Sequence, residues 1–390
     1  MGSACNGAKF AIVRSMIPAP PDPVPLDRVR RVLVTKLRHH GDVLLASPVL
    51  TVLKRAAPHA EIDALVYAET EPLLGGHPAL AQLFTIDRAW KRSGVRVQVR
   101  EELALLRGLR ARRHDLVVHL TEHPRGLWLA LLLQPRWSVT RTRRPDEHAW
   151  LWRRAFTHFY PLPKGRARHT VETNLDALRR IGIAPTADEK SLVMVPGDAA
   201  HASIEALLAQ RGLPARGFVQ LHPGSRWLFK TWPSKRTAAV VDRLAQQGFS
   251  IVVTGAPDTR ERELVQALLD EVAPASRARV HDLTGVLTLR ELAALCSRAR
   301  LFVGVDSAPM HIAAAMGTPV IALFGPSDEV EWAPWRVAHR VVASDAFPCR
   351  PCRNDGCGGG KVSECLTTLP VAQVAAAVDA LLAETAEAPR

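Results

Sequence analysis

The sequence predicts an α/β protein made of two doubly wound domains, each built on a parallel sheet. Short apolar runs alternate with helical segments, and this pattern restarts near residues 182–195. The clearest βαβ unit spans 301–326, where two buried runs, 301–305 and 320–324, flank a small-residue helix at 310–316. Glycine and proline bound these runs, which is typical of the turns in such a unit.

The N-terminal half begins this alternation. Strands are expected at 31–37, 61–67, 83–86 and 115–120. One helix is expected at 43–57, kinked by Pro48, and others at 97–112 and 171–181. The stretch 136–168 is dense in arginine and aromatic residues, and no strand is predicted there.

The C-terminal half repeats the pattern. Its predicted strands are 218–221, 250–254, 301–305 and 320–324, and its predicted helices are 288–297, 310–316 and 371–382. The expected organisation is a poorly ordered, proline-rich leader at 1–27, an N-terminal domain at 28–185 and a C-terminal domain at 186–390. A cleft is expected between the two domains.

Composition narrows the class of protein. The chain has 390 residues and a formal charge of +13, which favours an anionic substrate or surface. No nucleic-acid fold signature is visible, so nucleic acid is not an expected partner. No apolar run approaches the ~18 residues that a membrane-spanning helix needs, and a cytoplasmic protein is expected.

Four of the six cysteines lie close together in the sequence near the C-terminus. Disulfides are uncommon in a cytosolic protein, so this group is either a zinc site or a set of structural thiols. The spacing is looser than that of paired C-x2-C motifs, and no metal is assigned. The cysteines are Cys349, Cys352, Cys357 and Cys365.

Gly41 and Asp42 lie between the first predicted strand and its helix. Glycine permits a tight turn and a close approach of the backbone. Asp42 has two readings: a cap that accepts a backbone N–H bond, or a general base that faces the cleft.

A second group of candidate residues follows the first strand of the C-terminal half. A Gly/Ser turn presents donors to a phosphate, and a lysine adds a point charge. The alternative is a solvated surface loop, although its three aromatic residues need something to pack against. The candidates are Ser225, Arg226 and Lys230.

The third group is Asp306, Ser307 and His311, at the start of the helix in the βαβ unit. Ligands of such sheets bind beyond the carboxyl ends of the strands, where a helix N-terminus attracts phosphate. Helix capping and a buried structural histidine are the alternatives. Taken with the Ser225–Lys230 loop, this group favours a nucleotide or nucleotide-sugar site.

Four segments resemble the ADP-heptose:lipopolysaccharide heptosyltransferases, most closely the heptosyltransferase III branch. They are KLRHHGDVLLASPV (36–49), HPGSRWLFKTWP (222–233), GVDSAPMHIAAAMGTPVIALFGPS (304–327) and DGCGGGKVSECL (355–366). The resemblance implies a GT-B fold and an inverting, metal-independent transfer from ADP-L-glycero-D-manno-heptose, with no cofactor. The implied acceptor is the inner core of lipopolysaccharide, and the implied position is the third heptose.

The resemblance also implies residue roles. Asp42 would be the catalytic base, and Ser225, Arg226 and Lys230 would hold the donor diphosphate. The donor heptose and phosphates would contact Asp306, Ser307, Ala308 and His311, and the adenine would lie on Gly285 and Leu287. Acceptor contacts are expected from Arg38, His39, His40, Arg141, Arg143 and Arg144.

The expected protein is a monomer held peripherally on the anionic inner face of the inner membrane, with stretch 136–168 facing the acceptor or the membrane. Two alternatives stay open at this point. One is a glycosyltransferase of the same fold with another nucleotide sugar and another glycan. The other is a non-catalytic nucleotide-sugar-binding protein.

Overall fold

The computed structural model describes residues 22–142, 150–161 and 167–386. These residues form two six-stranded sheets in which every pair of neighbours is parallel. The first contains β1 (Arg31–Thr35), β2 (Glu61–Tyr67), β3 (Leu80–Ile86), β4 (Leu116–His119), β5 (Trp137–Thr142) and β6 (His158–Pro161). The second contains β7 (Phe218–His222), β8 (Ser250–Val253), β9 (Val280–Asp282), β10 (Leu301–Val305), β11 (Val320–Phe324) and β12 (His339–Ala343).

The strand orders are β3-β2-β1-β4-β5-β6 and β12-β11-β10-β7-β8-β9. Counted along the chain within each sheet, both orders are the 3-2-1-4-5-6 order of Rossmann-like domains. The expected fold class, two doubly wound domains of GT-B type, is confirmed. In both sheets the order reverses between the first and fourth strands, where ligands of such sheets bind.

Helices cover the sheets. In the first half they are α1 (His40–Leu44), α2 (Ser47–Ala56), α3 (Val95–Arg112), α4 (Pro124–Leu133), α5 (Trp150–Ala155) and α6 (Thr170–Arg180). In the second half they are α7 (Asp198–Gln210), α8 (Ser234–Gln246), α9 (Thr259–Glu271), α10 (Leu289–Arg298), α11 (Ala308–Ala315), α12 (Glu329–Trp332), α13 (Glu364–Thr367) and α14 (Val371–Ala386). No helix in the described ranges has both the length and the apolar character of a membrane span.

The central strands confirm the sequence prediction. Every residue of β10 and β11 is buried, because helices cover both faces of a parallel sheet and such strands are apolar throughout. Helix α11 joins them, two residues earlier than predicted, with Pro309 in its first turn.

The predicted single helix at 43–57 is wrong in one respect. Two helices occupy this segment, and Leu45 and Ala46 separate them. Pro48 lies in the first turn of α2, where its missing N–H leaves no helical hydrogen bond unmade. The short α1 therefore ends before the proline, and Gly41 and Asp42 lie in α1, separate from α2.

Strands β5 and β6 correct the prediction for the stretch 136–168. Buried positions of β5 include Ser138, Thr140 and Thr142, so no apolar run marks the strand. The Ser138 hydroxyl is satisfied by donating to the Ala155 carbonyl at 2.9 Å. The strand β12 was missed because it is a half-exposed edge strand.

The last residues assigned to the leader pack against the N-terminal domain. Val24 is buried, and its N–H donates to the Ile181 carbonyl at 3.0 Å. Asp22 forms an ion pair with Arg180 at 2.7 Å. Residues 22–27 are thus part of the folded domain, and the rest of the expected leader lies outside the described residues.

The two domains meet through the helices at their facing edges. Helices α1 and α11 pack together, and one apolar core cluster includes Val43 and Met310. Polar links reinforce this contact: the Val193 N–H donates to Ser47 Oγ at 3.0 Å, and Arg290 pairs with Glu71 at 3.2 Å. The carboxyl ends of β1 and β10, with the residues that follow them, therefore lie at the domain boundary.

Candidate active site

Gly41 lies where the two halves of the candidate site come close together. A Cβ added at Gly41 would lie 3.0 Å from Cδ2 of His311, which is shorter than ordinary van der Waals contact. Ala308 is also adjacent, with its Cα 4.0 Å from the same point. The absence of a side chain at Gly41, in the first turn of α1, thus lets α1 approach α11 of the other domain.

Asp42 lies in the first turn of α1 with a side chain that is 15% exposed. The residue at the N-cap of this helix is His39, and no side-chain capping bond is formed there. The capping interpretation of Asp42 is therefore wrong. Instead its Oδ1 lies 3.9 Å from Lys36 Nζ and 3.8 Å from Arg38 Nε.

Lys36 is a candidate functional residue that the sequence did not single out. It follows β1 directly, is 4% exposed and donates to Asn174 Oδ1 at 3.0 Å and to the Leu120 carbonyl at 3.5 Å. Burial lowers the pKa of Lys36 to about 8, while the Asp42 carboxylate acts in the opposite direction. A lysine directly after a mainly apolar strand is the feature of the sequence that could have identified Lys36 as a candidate.

The loop after β7 is joined to both domains. Lys230 Nζ forms an ion pair with Asp306 Oδ2 at 2.6 Å, so two separately predicted groups meet. Arg226 Nη1 reaches across to His39 Nδ1 at 2.7 Å. Ser225 is buried, and its hydroxyl accepts a weak bond from the Trp227 N–H at 3.4 Å.

The amino end of α11 presents polar atoms without partners. Ser307 is the N-cap residue but forms no side-chain capping bond, so the capping reading fails here as well. Within the described residues, Ser307 Oγ and His311 Nδ1 are buried and have no hydrogen-bond partner. Buried polar atoms are normally satisfied, and a polar ligand in the cleft would satisfy these two.

His311 is neutral at physiological pH. Burial lowers its pKa to about 4, against the opposing effect of the Asp306 carboxylate and a smaller one from Asp42. A neutral imidazole has one nitrogen donor and one acceptor. His311 therefore offers hydrogen bonds without adding a positive charge.

The predicted adenine-binding segment lies beyond the carboxyl end of β9. Gly285 adopts a φ of +71°, and its N–H donates to the Gly255 carbonyl at 2.9 Å, which ties it to the loop after β8. Leu287 is half-buried against the core. Glu261, which was not predicted, is buried beside these loops and accepts from the Ala256 N–H at 2.7 Å; burial raises its pKa.

The predicted acceptor residues are only partly gathered at the site. His39 contacts Arg226, and burial lowers the pKa of both His39 and His40. Arg38 is largely exposed next to Asp42. Arg141 pairs with Glu122 at 3.3 Å. Arg143 and Arg144 lie outside the described residues.

The cysteine segment gives no geometric support for zinc. In the parts of the chain that the structure describes, no group of three or more His, Cys, Asp or Glu side chains is arranged to hold a metal ion. All four thiols are free. Cys349 and Cys357 are exposed, and Cys365 is buried, which raises its thiol pKa.

Solved structures resemble this fold along most of the chain. The family 9 glycosyltransferase from Veillonella parvula DSM 2008 matches with a TM-score of 0.77 at 24% identity, covering 91% of this chain and 97% of that one. Escherichia coli ADP-heptose lps heptosyltransferase II matches with a TM-score of 0.71 at 20% identity, covering 91% and 99%. These similarities confirm the fold.

Sequence comparison goes further. Lipopolysaccharide heptosyltransferase 3 of Escherichia coli is 34% identical over 347 residues, which cover 89% of this chain and 97% of the relative. Lipopolysaccharide heptosyltransferase 1 of Pseudomonas aeruginosa is 27% identical over 331 residues, covering 84% and 87%. Residues 102–362 match the model of glycosyltransferase family 9 (heptosyltransferase). The chain therefore belongs to glycosyltransferase family 9, as the motifs around Asp42, Lys230 and Asp306 had indicated.

Proposed function

We propose that this glycosyltransferase moves L-glycero-D-manno-heptose from ADP-heptose to the inner core of lipopolysaccharide, as the third heptose. One observation carries the proposal: the Asp42 carboxylate lies at the domain boundary beside α11, whose buried Ser307 Oγ and His311 Nδ1 lack partners within the described residues. A base on one domain then faces a polar ligand site on the other. The relatives named heptosyltransferase 3, at 34% and 33% identity, support the position of the heptose.

The reaction is a single displacement. Asp42 accepts the proton of an acceptor hydroxyl. As the proton leaves, the oxygen of that hydroxyl forms a bond to the anomeric carbon of the heptose. The bond from that carbon to the diphosphate oxygen breaks on the opposite face, and ADP leaves with the electron pair. The configuration at the anomeric carbon is therefore inverted.

The leaving diphosphate is held by Lys230, Arg226 and Ser225. Lys230 is positioned in advance by its 2.6 Å ion pair with Asp306. Arg226 is placed by its contact with His39. A positive charge fixed beforehand stabilises developing negative charge without reorganisation during the reaction. We therefore propose that these side chains stabilise the leaving diphosphate without a metal ion.

In the remaining subsites, the C-terminal domain binds the donor and the N-terminal domain binds the acceptor. The donor heptose and phosphates contact Asp306, Ser307, Ala308 and His311, and the adenine lies on Gly285 and Leu287. The acceptor approaches from the N-terminal domain past Arg38, His39, His40 and Arg141, with Arg143 and Arg144 as further predicted contacts. The carboxylates and phosphates of an inner core complement these cations and the formal charge of +13. The proposed enzyme is a monomer at the cytoplasmic face of the inner membrane.

The test is ADP release from ADP-heptose by the purified protein with defined truncated cores. Release only with a two-heptose core is the expected result, and it should persist in EDTA. Release with a Kdo-only or one-heptose core would reject the third-heptose assignment. Failure with every core, despite tight binding of ADP-heptose, would reject heptosyl transfer to lipopolysaccharide.

A further inference from the structure

Helix α3 exposes an apolar stripe that its own domain does not cover. Val95, Val99 and Leu103 are 77%, 50% and 44% exposed, and their i, i+4, i+8 spacing puts them on one face. The adjacent side of the helix packs on the sheet through Leu105 and Leu109. Single exposed apolar residues need no explanation, but three in register along a helix do.

Arginines border this stripe on its solvent side. Arg96, Arg100, Arg107 and Arg110 are all exposed on the same helix. The two acidic residues of α3 are both engaged in ion pairs: Glu101 with Arg100 at 2.7 Å, and Glu102 with Arg125 of α4. The outward face of α3 therefore combines apolar side chains with net positive charge.

Helix α4 extends the same surface. Trp128 and Leu132 are 55% and 43% exposed, one helical turn apart. Arg110 of α3 donates to the Leu132 carbonyl at 3.2 Å, so the two helices are neighbours. Leu129 of α4 is buried in the same core cluster as Leu109, which places both helices on one side of the sheet.

We propose that this α3–α4 surface binds the headgroup region of an anionic lipid bilayer. The surface is defined by Val95, Val99, Leu103, Trp128 and Leu132 together with Arg96, Arg100, Arg107 and Arg110. A helix with an apolar stripe bordered by arginines lies in the bilayer interface, with the stripe in the acyl boundary and the cations on phosphate. Trp128 has the amphipathic ring that is enriched at this depth.

Charge complementarity selects a bilayer over the other occupants. A second copy packed on this face would bring its four arginines against the same four, which is unfavourable without intervening anions. Nucleic acid would satisfy the arginines but would leave the apolar stripe and Trp128 without a partner, because its exposed backbone is charged. An anionic membrane satisfies both parts of the surface.

The position of the surface fits this partner. Helices α3 and α4 follow β3 and β4, so their amino ends lie at the carboxyl edge of the first sheet, the edge that carries His40 and Asp42. Binding through this face would bring the cleft mouth close to the bilayer. The lipid-binding proposal stands on its own surface, whereas this consequence for a lipid-linked acceptor rests on the proposed function.

The test is co-sedimentation of the full-length protein with vesicles of pure phosphatidylcholine or of phosphatidylcholine mixed with phosphatidylglycerol. The parent protein should bind the anionic vesicles and release them as salt increases. The triple variant Val95→Ser/Val99→Ser/Leu103→Ser should bind at least roughly tenfold more weakly. Arg96→Gln/Arg107→Gln should weaken binding and flatten its salt dependence. Val330→Ser/Val362→Ser, two residues about equally exposed in the other domain, is the matched control and should bind like the parent.

Equal binding of the parent to both kinds of vesicle would overturn the proposal, as would a triple variant that binds like the parent. A parent dimer that the triple variant disrupts, without vesicle binding, would assign the surface to a second copy instead. ADP release with a lipid-free core oligosaccharide should be unchanged in the triple variant. If no acceptor supports release even with the parent, the proposed function fails, while vesicle binding still decides the membrane proposal.

Discussion

At the scale of single residues, Asp42 and Lys36 place a carboxylate and a buried ammonium side by side at the end of β1. Lys36 has neutral acceptors, Asn174 and Leu120, as its direct hydrogen-bond partners. Its charge is therefore left to act on Asp42, 3.9 Å away. We infer that Asp42 is the base and Lys36 a positioning residue that acts through it.

Replacing Asp42 by asparagine should lower kcat at least about 100-fold, because a general base contributes 10²–10⁴ and the amide cannot accept the proton. The affinity for ADP-heptose should change little, since the donor groups lie on the other domain. Steady-state ADP release and calorimetric titration of the donor measure the two quantities. Near-parental kcat in Asp42→Asn would exclude this residue as the base.

Replacing Lys36 by methionine removes the buried charge and keeps most of the side-chain volume. With a pKa of about 8, Lys36 is protonated below pH 8 and loses its charge above it. Activity of the parent should therefore decline through pH 8, and Lys36→Met should have lower kcat without this decline. A pH profile of kcat at saturating donor is the measurement. An alkaline decline that survives in the variant would assign it to another group.

At the scale of elements, the break between α1 and α2 shapes the site. Pro48 permits α2 to begin a new helix, so the short α1 can turn its glycine towards α11. The prediction of a kink at Pro48 named the correct residue, but the structure has two separate helices there rather than one bent helix. Sequence alone could not place α1 against α11, because the two helices belong to different domains.

Gly41→Ala tests this contact. The new methyl group would meet His311 Cδ2 at 3.0 Å and force the imidazole or α1 to shift by a few tenths of an ångström. We expect kcat to fall roughly tenfold, because small displacements of reacting groups are costly. The melting temperature should change little, because the higher helix propensity of alanine and the crowding against His311 act in opposite directions.

The matched control is Gly108→Ala in α3, where the added Cβ would lie 3.3 Å from a Phe84 ring atom, away from the site. It should leave kcat unchanged. Equal loss of kcat in both variants would mean that the effect of Gly41→Ala is not specific to the contact with His311.

At the scale of the whole molecule, several buried histidines are kept neutral. Burial lowers the pKa to about 3 for His119 and to about 4 for His77, His222 and His311. Their ordinary value is about 6.5, so between pH 6.5 and 4 these four histidines bind more protons in the unfolded chain than in the folded one. The free energy of unfolding therefore rises with pH in this window and falls on acidification.

We expect a lower urea midpoint at pH 5 than at pH 7. Each histidine can change the free energy of unfolding by at most about 1.4 kcal/mol per unit of pKa shift. His222→Asn should reduce this difference, because the asparagine amide takes the position of Nδ1, which contacts Thr254, and has no proton to bind. The same midpoint difference in His222→Asn as in the parent would show that His222 does not contribute to it.

The sequence by itself determined the fold class, the buried strands β10 and β11, and the location of Asp42, Lys230, Asp306 and His311 in the segments that follow β1, β7 and β10. These follow from local patterns: continuous apolar runs, glycine and proline at turns, and polar residues in the segments after a strand. It missed β5, whose buried side chains other than Val139 are hydroxyls, and β12, because an edge strand is half exposed. It also missed the short edge strands β6 and β9.

Only the tertiary structure decided which of these residues meet. The contact of Arg226 with His39 joins residues 187 apart, and the pair Lys230–Asp306 joins residues 76 apart. The buried state of Lys36 depends on Asn174, in a helix 138 residues away. Burial, hydrogen-bond partners and the resulting pKa values are properties of the packed environment, which segments distant in the sequence supply when each domain folds and when the two domains pack together.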